Sequence, residues 1–118
     1  MTDRELLELA AKAAGHTYAR WEDADNEDCA PYAVFVINEP GYCFIRWNPL
    51  TDDGDALRLA IKLNMSIIKH DAYYPYVSAE YGDKVFCSED VFKNGGDEIK
   101  AARRAITRAA AEIGKGIK

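Results

Sequence analysis

Apolar residues along this chain recur at two spacings, and the change from one to the other divides it into helices and strands. Leu6, Leu9, Ala10, Ala13 and Ala14 fall three and four apart, which predicts one apolar stripe of a helix over about 3 to 14. Thr2 and Glu5 precede it as a capping box, and Gly15 can supply a left-handed end. A second stripe of Ala56, Leu57, Ala60, Ile61 and Leu63 predicts a helix running to about Leu63. Thr51, Asp52 or Asp53 is its cap and Asn64 its end. A third stripe, Ile99, Ala102, Ile106, Ala109, Ala110 and Ile113, follows the chain break at Gly95-Gly96 and the cap Asp97, with Gly114 as the stop.

Between the helices the pattern shortens to runs rich in β-branched and aromatic residues. Segments 32–38 and 42–47 flank Glu39-Pro40-Gly41 and predict a hairpin, with 16–21 as a weaker strand before them. Segments 65–70, 76–81 and 84–88 predict a meander, its last two strands joined by Gly82-Asp83. Asn48-Pro49 ends the first set, because proline lacks an amide proton and restrains its predecessor. The expected order is α-β-β-β-α-β-β-β-α. Strands in runs favour an α+β fold, a mainly antiparallel sheet of about five to six strands covered by three helices. Tyr73, Tyr74 and Tyr76 surround Pro75 between two strands, where they either stand partly exposed and suited to contacts or, the favoured expectation, complete the core.

With 118 residues the chain suits a single globular domain, 1–118. Its 48% apolar and 30% charged residues are a globular rather than a disordered balance. The net charge of -5 favours solubility and opposes general polyanion binding. Cys29, Cys43 and Cys87 lie too far apart for paired metal-ligand spacing and are expected to be reduced, with Cys43 and Cys87 buried in strands. The first residues carry no secretory pattern and no apolar run approaches a membrane span, so the expected location is the cytoplasm, with no membrane partner.

No pattern of catalytic type stands out. His16 and His70 have no metal-type partners at helical spacing, and Asp52-Asp53-Gly54-Asp55 lacks the alternation and closing glutamate of a calcium loop. No nucleophile elbow, phosphate loop or dinucleotide fingerprint occurs. The expectation is a non-enzyme with no catalytic residues, no metal and no cofactor.

Charge is patterned more strongly than chemistry. Residues 22–55 hold Glu22, Asp23, Asp25, Glu27, Asp28, Glu39, Asp52, Asp53 and Asp55 against Arg46. Such a stretch reads as a solvated surface or as a docking face for a basic partner. On the latter reading Glu22, Asp23, Asp25, Glu27, Asp28, Asp52, Asp53 and Asp55 bind a protein. The last helix is basic instead, and 52–113 copies the element order of a double-stranded RNA-binding domain. Lys100, Arg103, Arg104 and Arg108 would then contact nucleic acid, although the acidic start of that helix departs from the lysine-rich pattern.

The segment Trp47-Asn48-Pro49-Leu50-Thr51-Asp52-Asp53-Gly54-Asp55-Ala56-Leu57-Arg58-Leu59-Ala60, with Arg103-Arg104-Ala105-Ile106-Thr107-Arg108-Ala109-Ala110-Ala111, resembles the phage ABA-sandwich domain family, to which NinX-type proteins are similar. The resemblance implies a sheet between helical layers and a setting of phage infection or prophage carriage in a bacterial host cell. It implies no catalytic residues. By analogy with small phage accessory proteins the expected partner is a host protein, including a defence factor of the kind anti-CRISPR proteins inhibit. Nucleic acid is the alternative partner.

Overall fold

In the structure, a computed structural model describing residues 2–16, 18–22, 32–36, 44–83 and 85–117, each helix begins at a side-chain cap. Helix α1 (Asp3–Ala13) opens on a capping box in which Thr2 Oγ1 accepts the Glu5 N–H at 3.2 Å and Glu5 Oε2 accepts the Thr2 N–H at 3.1 Å. Helix α2 (Asp53–Lys62) starts at Asp52, and α3 (Glu98–Lys115) starts at Asp97, whose Oδ1 accepts the Ile99 and Lys100 amides. Asn64 with φ 55° follows α2, and Gly15 with φ 82° follows α1; both occupy the left-handed region that ends a helix without a side-chain clash.

Strands β1 (Tyr18–Glu22), β2 (Tyr32–Val36) and β3 (Phe44–Trp47) form one antiparallel sheet, with Tyr18 facing Val36 and Phe35 facing Ile45. Strands β4 (Ser66–His70), β5 (Tyr76–Tyr81) and β6 (Val85–Asp90) form another, with Ile67 facing Ala79 and Ala79 facing Cys87. The fold is α+β with three α-helices among the described residues, but the expected sheet of five to six strands is overturned, since no sheet among those residues exceeds three strands. The element order differs as well, because a 3-10 turn at Phe92–Asn94 stands between β6 and α3. The physical reason lies at residues 48–65. Asn48 and Pro49 turn the chain out of β3 into α2, so β3 and β4 never align and β4 becomes an edge. The expected turn 39–41, most of the acidic loop, Cys29 and Cys43 lie outside the described residues.

Helix α3 is the centre of the packing and touches α1, α2, β5 and β6. Its buried positions are mostly alanines, Ala101, Ala105, Ala109, Ala110 and Ala111, which let neighbours approach closely. Ala105, Ala109 and Ala110 share a cluster with Leu7 and Ala10 of α1, Leu59 of α2, Ala79 and Cys87 of the sheet and Trp47, while Ala101 packs with Val77 and Val91. The expectation that Gly114 ends α3 is corrected, because the helix continues to Lys115. Gly114 is instead the crossing point of α1 and α3. A Cβ there would overlap the Leu9 carbonyl.

Gly114→Ala is therefore expected to destabilise the chain by about 3 kcal/mol through backbone overlap that no rotamer relieves. A urea denaturation midpoint unchanged from wild type would contradict this packing.

Candidate functional site

The strand-to-helix junction is built from one chain of hydrogen bonds. Trp47, Asn48 and Pro49 are buried. Asn48 Oδ1 accepts the Leu50 N–H at 3.0 Å, and the Asn48 carbonyl accepts the Thr51 and Asp52 amides at 3.2 and 2.9 Å. Asp52 Oδ2 accepts the Asp55 N–H at 2.8 Å, which makes Asp52, rather than Thr51 or Asp53, the cap of α2. Asp55, itself buried, closes the loop by accepting the Asn48 N–H at 2.9 Å on Oδ2 and Arg58 Nη2 at 2.8 Å on Oδ1. Arg103 of α3 ties the junction down by donating from Nε to the Leu50 carbonyl at 2.9 Å and from Nη1 to Asp53.

The acidic residues singled out in the sequence thus separate. Asp55 is internal, Asp52 caps, and Asp53 is an exposed carboxylate paired with Arg103. Glu22 closes β1, while Asp23, Asp25, Glu27 and Asp28 lie outside the described residues. The basic residues separate too. Lys100 is exposed and makes no ion pair among the described residues. Arg104 reaches Asp3 at 3.1 Å and Glu89 at 3.5 Å, and Arg108 reaches Glu89 at 3.0 Å and the Ser88 carbonyl at 3.1 Å. Three of the four cations proposed for phosphate are engaged within the chain.

A feature missed in the sequence lies beside this junction. Between α2, α3 and β4 is an apolar groove of about 310 Å³, lined by Ala56, Leu57, Ile67, Ile99, Ala102 and Ile106 among others. Asp53 and Arg103 are the polar residues of the lining, and they pair with each other. Leu57 is 60% exposed and Ile99 53% exposed. The stripe reading had set both facing the core. The residues that do so are Ala56, Leu59 and Ala60 in α2 and Ala101, Ala105 and Ala109 in α3. The 101, 105, 109 repeat of alanines was the available signal, since a small-residue seam marks close approach and leaves larger neighbours on the flank.

The other candidate groups are structural in their surroundings. His16 is half-buried with its ring edge-on to Trp47, centroids 5.2 Å apart. Burial, then the Lys62 charge, lowers its pKa below the usual 6.5, and Asp55 opposes them. His70 stacks on Tyr76 at 4.1 Å, with Nε2 3.0 Å from the buried Ser78 hydroxyl. Burial raises the Cys87 thiol pKa and disfavours its reactive thiolate. Tyr73 and Tyr74, expected in the core, stand exposed with their rings edge-to-face at 4.9 Å. Among the described residues no three His, Cys, Asp or Glu side chains gather to hold a metal ion, and no helix is long and apolar enough to cross a membrane. Comparison with protein-family models, curated proteins and solved structures yields no match.

Two tests follow from the junction. Asp55→Ala leaves the buried Asn48 amide without its acceptor and should cost about 2 kcal/mol, measurable by chemical denaturation; an unchanged midpoint would show the network is dispensable. The folded chain binds the His16 proton less readily than the unfolded chain. His16 therefore contributes no penalty above pH 6.5, and stability should fall as pH drops through 6.5 toward the lower folded value. Thermal unfolding of His16→Gln between neutral and mildly acidic pH should show a shallower loss than wild type.

Proposed function

We propose that the chain is a non-enzymatic protein-binding module whose docking surface is the groove between α2 and α3. The observation that carries this reading is an open apolar cleft flanked by exposed Leu57 and Ile99, with a single ion pair as its polar content. Such a lining offers burial for an apolar anchor, the feature that dominates binding energy at protein interfaces. It offers no group placed to move a proton or attack a substrate.

Charge selects the partner. Asp52 and Asp53 expose their side chains at the start of α2, beside the groove, and the chain as a whole carries -5. The reading is therefore a partner with an apolar anchor next to basic residues, steered by the acidic field. The resemblance of segment 47–60 to phage ABA-sandwich proteins makes a bacterial host protein, including a defence factor inhibited by the contact, the partner we favour.

The alternative, duplex nucleic acid bound through Lys100, Arg103, Arg104 and Arg108, asks three of those side chains to exchange carboxylate partners for phosphates. Leu57→Glu combined with Ile99→Glu separates the two, since both residues are exposed and their replacement leaves the core intact. On the protein-binding reading, a partner recovered with the wild-type chain from infected cells is lost with the double variant. Equal recovery with both would remove the groove, and a salt-sensitive mobility shift of duplex RNA or DNA would favour the alternative.

A further inference from the structure

The groove has one wall that differs in kind from the other two. Helices α2 and α3 present side chains alone, whereas β4 is the terminal strand of its sheet and, among the described residues, pairs only with β5. An antiparallel edge strand turns the N–H and C=O groups of alternate residues outward. Residues 66 to 69 are all exposed, and no other described strand pairs with that row. The opposite edge of the sheet is treated differently, because Arg108 donates to the Ser88 carbonyl of β6 at 3.1 Å. No described side chain does the same for β4.

Edge strands are commonly guarded by a lysine whose charge would be buried by a newcomer. Lys69 is the one lysine on β4, and it is held back. Its Nζ lies 2.7 Å from Glu98 at the start of α3 and 3.6 Å from Asp71, so its charge is neutralised within the chain. Ile67 and Ile68, each 40% exposed, leave the strand apolar on both faces.

The geometry points to β4 as a docking edge for an extended strand of the partner protein, which pairs with Ser66–His70, inserts an apolar side chain between Leu57 and Ile99, and turns a lysine or arginine toward Asp71. Register supports this division of labour. Ile67 faces Ala79, a core residue under α3, so Ile67 lies on the helix side of the sheet and Ile68 on the other. A strand added about 4.8 Å from β4 places every second side chain on the Ile67 side, beside the groove. Main-chain pairing then supplies affinity and the groove selects the side chain. A helical partner would fill the groove but leave the β4 backbone unused.

Charge fixes the flank. Asp71, with 87% of its side chain exposed, stands with Asp97 and Glu98 at the His70 end of β4, against Lys69 and Lys100. Lys69 favours Glu98, which leaves Asp71 the carboxylate with the weaker internal contact and the natural counterpart of an incoming cation.

This inference deepens the protein-binding reading and rests on it. The test is selection of peptides from a random-peptide display library on the immobilised full chain, followed by amide hydrogen exchange of the chain with each selected peptide made synthetically. The expected peptides alternate apolar and polar residues beside a lysine or arginine, slow exchange at alternate amides within 66–70, and bind Ile67→Lys about tenfold or more weakly. A proline placed at a pairing position of the peptide should abolish binding. Peptides that need Leu57 and Ile99 but leave exchange in β4 unchanged would overturn the strand pairing while keeping the groove. Protection of 66–70 that rises with protein concentration alone would overturn it in favour of a second copy. Peptides indifferent to Leu57→Glu with Ile99→Glu would remove both readings.

Discussion

The hydrogen bond from the buried Asn48 amide to Asp55 Oδ2 decides where the second half of the molecule goes. Proline at position 49 cannot continue the strand, and an Asx turn through Asn48 Oδ1 bends the chain at once. Asp55 then fixes the first turn of α2 against the last residues of β3. The direction of α2 is set by a closed circuit of donors and acceptors instead of by the general attraction of apolar surface. Hydrogen bonds are directional and hydrophobic burial is not. That circuit is why the chain makes two three-stranded sheets instead of one larger one, and why β4 lies at an edge.

Helix α3 answers the same constraint from the other side. Its Arg103 donates to the Leu50 carbonyl and to Asp53, so the junction and the central helix share a side chain. Its alanines allow the sheet and α1 to come close, with Gly114 at the tightest point. Close approach along one face leaves less apolar surface to reach α2, and the space between α2 and α3 is not filled. The groove is thus a consequence of how α3 is packed, and Leu57 and Ile99 at its mouth are the large residues that the alanine seam excludes.

Much of the local structure was legible in the sequence because caps and breakers act over a few residues. Thr2 with Glu5, Asp97 behind Gly95-Gly96, and Gly82-Asp83 each carry their own geometry, and the helices and strands stand close to where these residues place them. The sheet count was not legible, since whether β3 and β4 pair depends on the bend at 48–55 and not on either strand. The groove was hidden for a related reason. A stripe of apolar residues tells which side of a helix is greasy, but Ala56 and Leu57 differ by only one position and the neighbouring helix decides which is covered. Arg103, Arg104 and Arg108 read as candidate phosphate contacts because their partners, Asp53, Asp3 and Glu89, are distant in sequence. The tyrosines beside Pro75 fit either exposure or packing on sequence alone, and the structure exposes Tyr73 and Tyr74.

Those ion pairs also shape what the surface can attract. Arg104 and Arg108 converge on Glu89, whose side chain is only 13% exposed, so breaking either contact leaves a partly desolvated charge. The arginines are therefore committed to holding α3 on α1 and β6. Opposed charges that neutralise each other in this way contribute little to the field at a distance, and what remains is the surplus of acids in a chain of net charge -5. Sequence counts of basic residues overstate the basic character of α3, whereas the acidic excess survives folding. Arg103, Arg104 and Arg108 of α3 are thus held by carboxylates of the chain itself, while the apolar groove between α2 and α3 stays open.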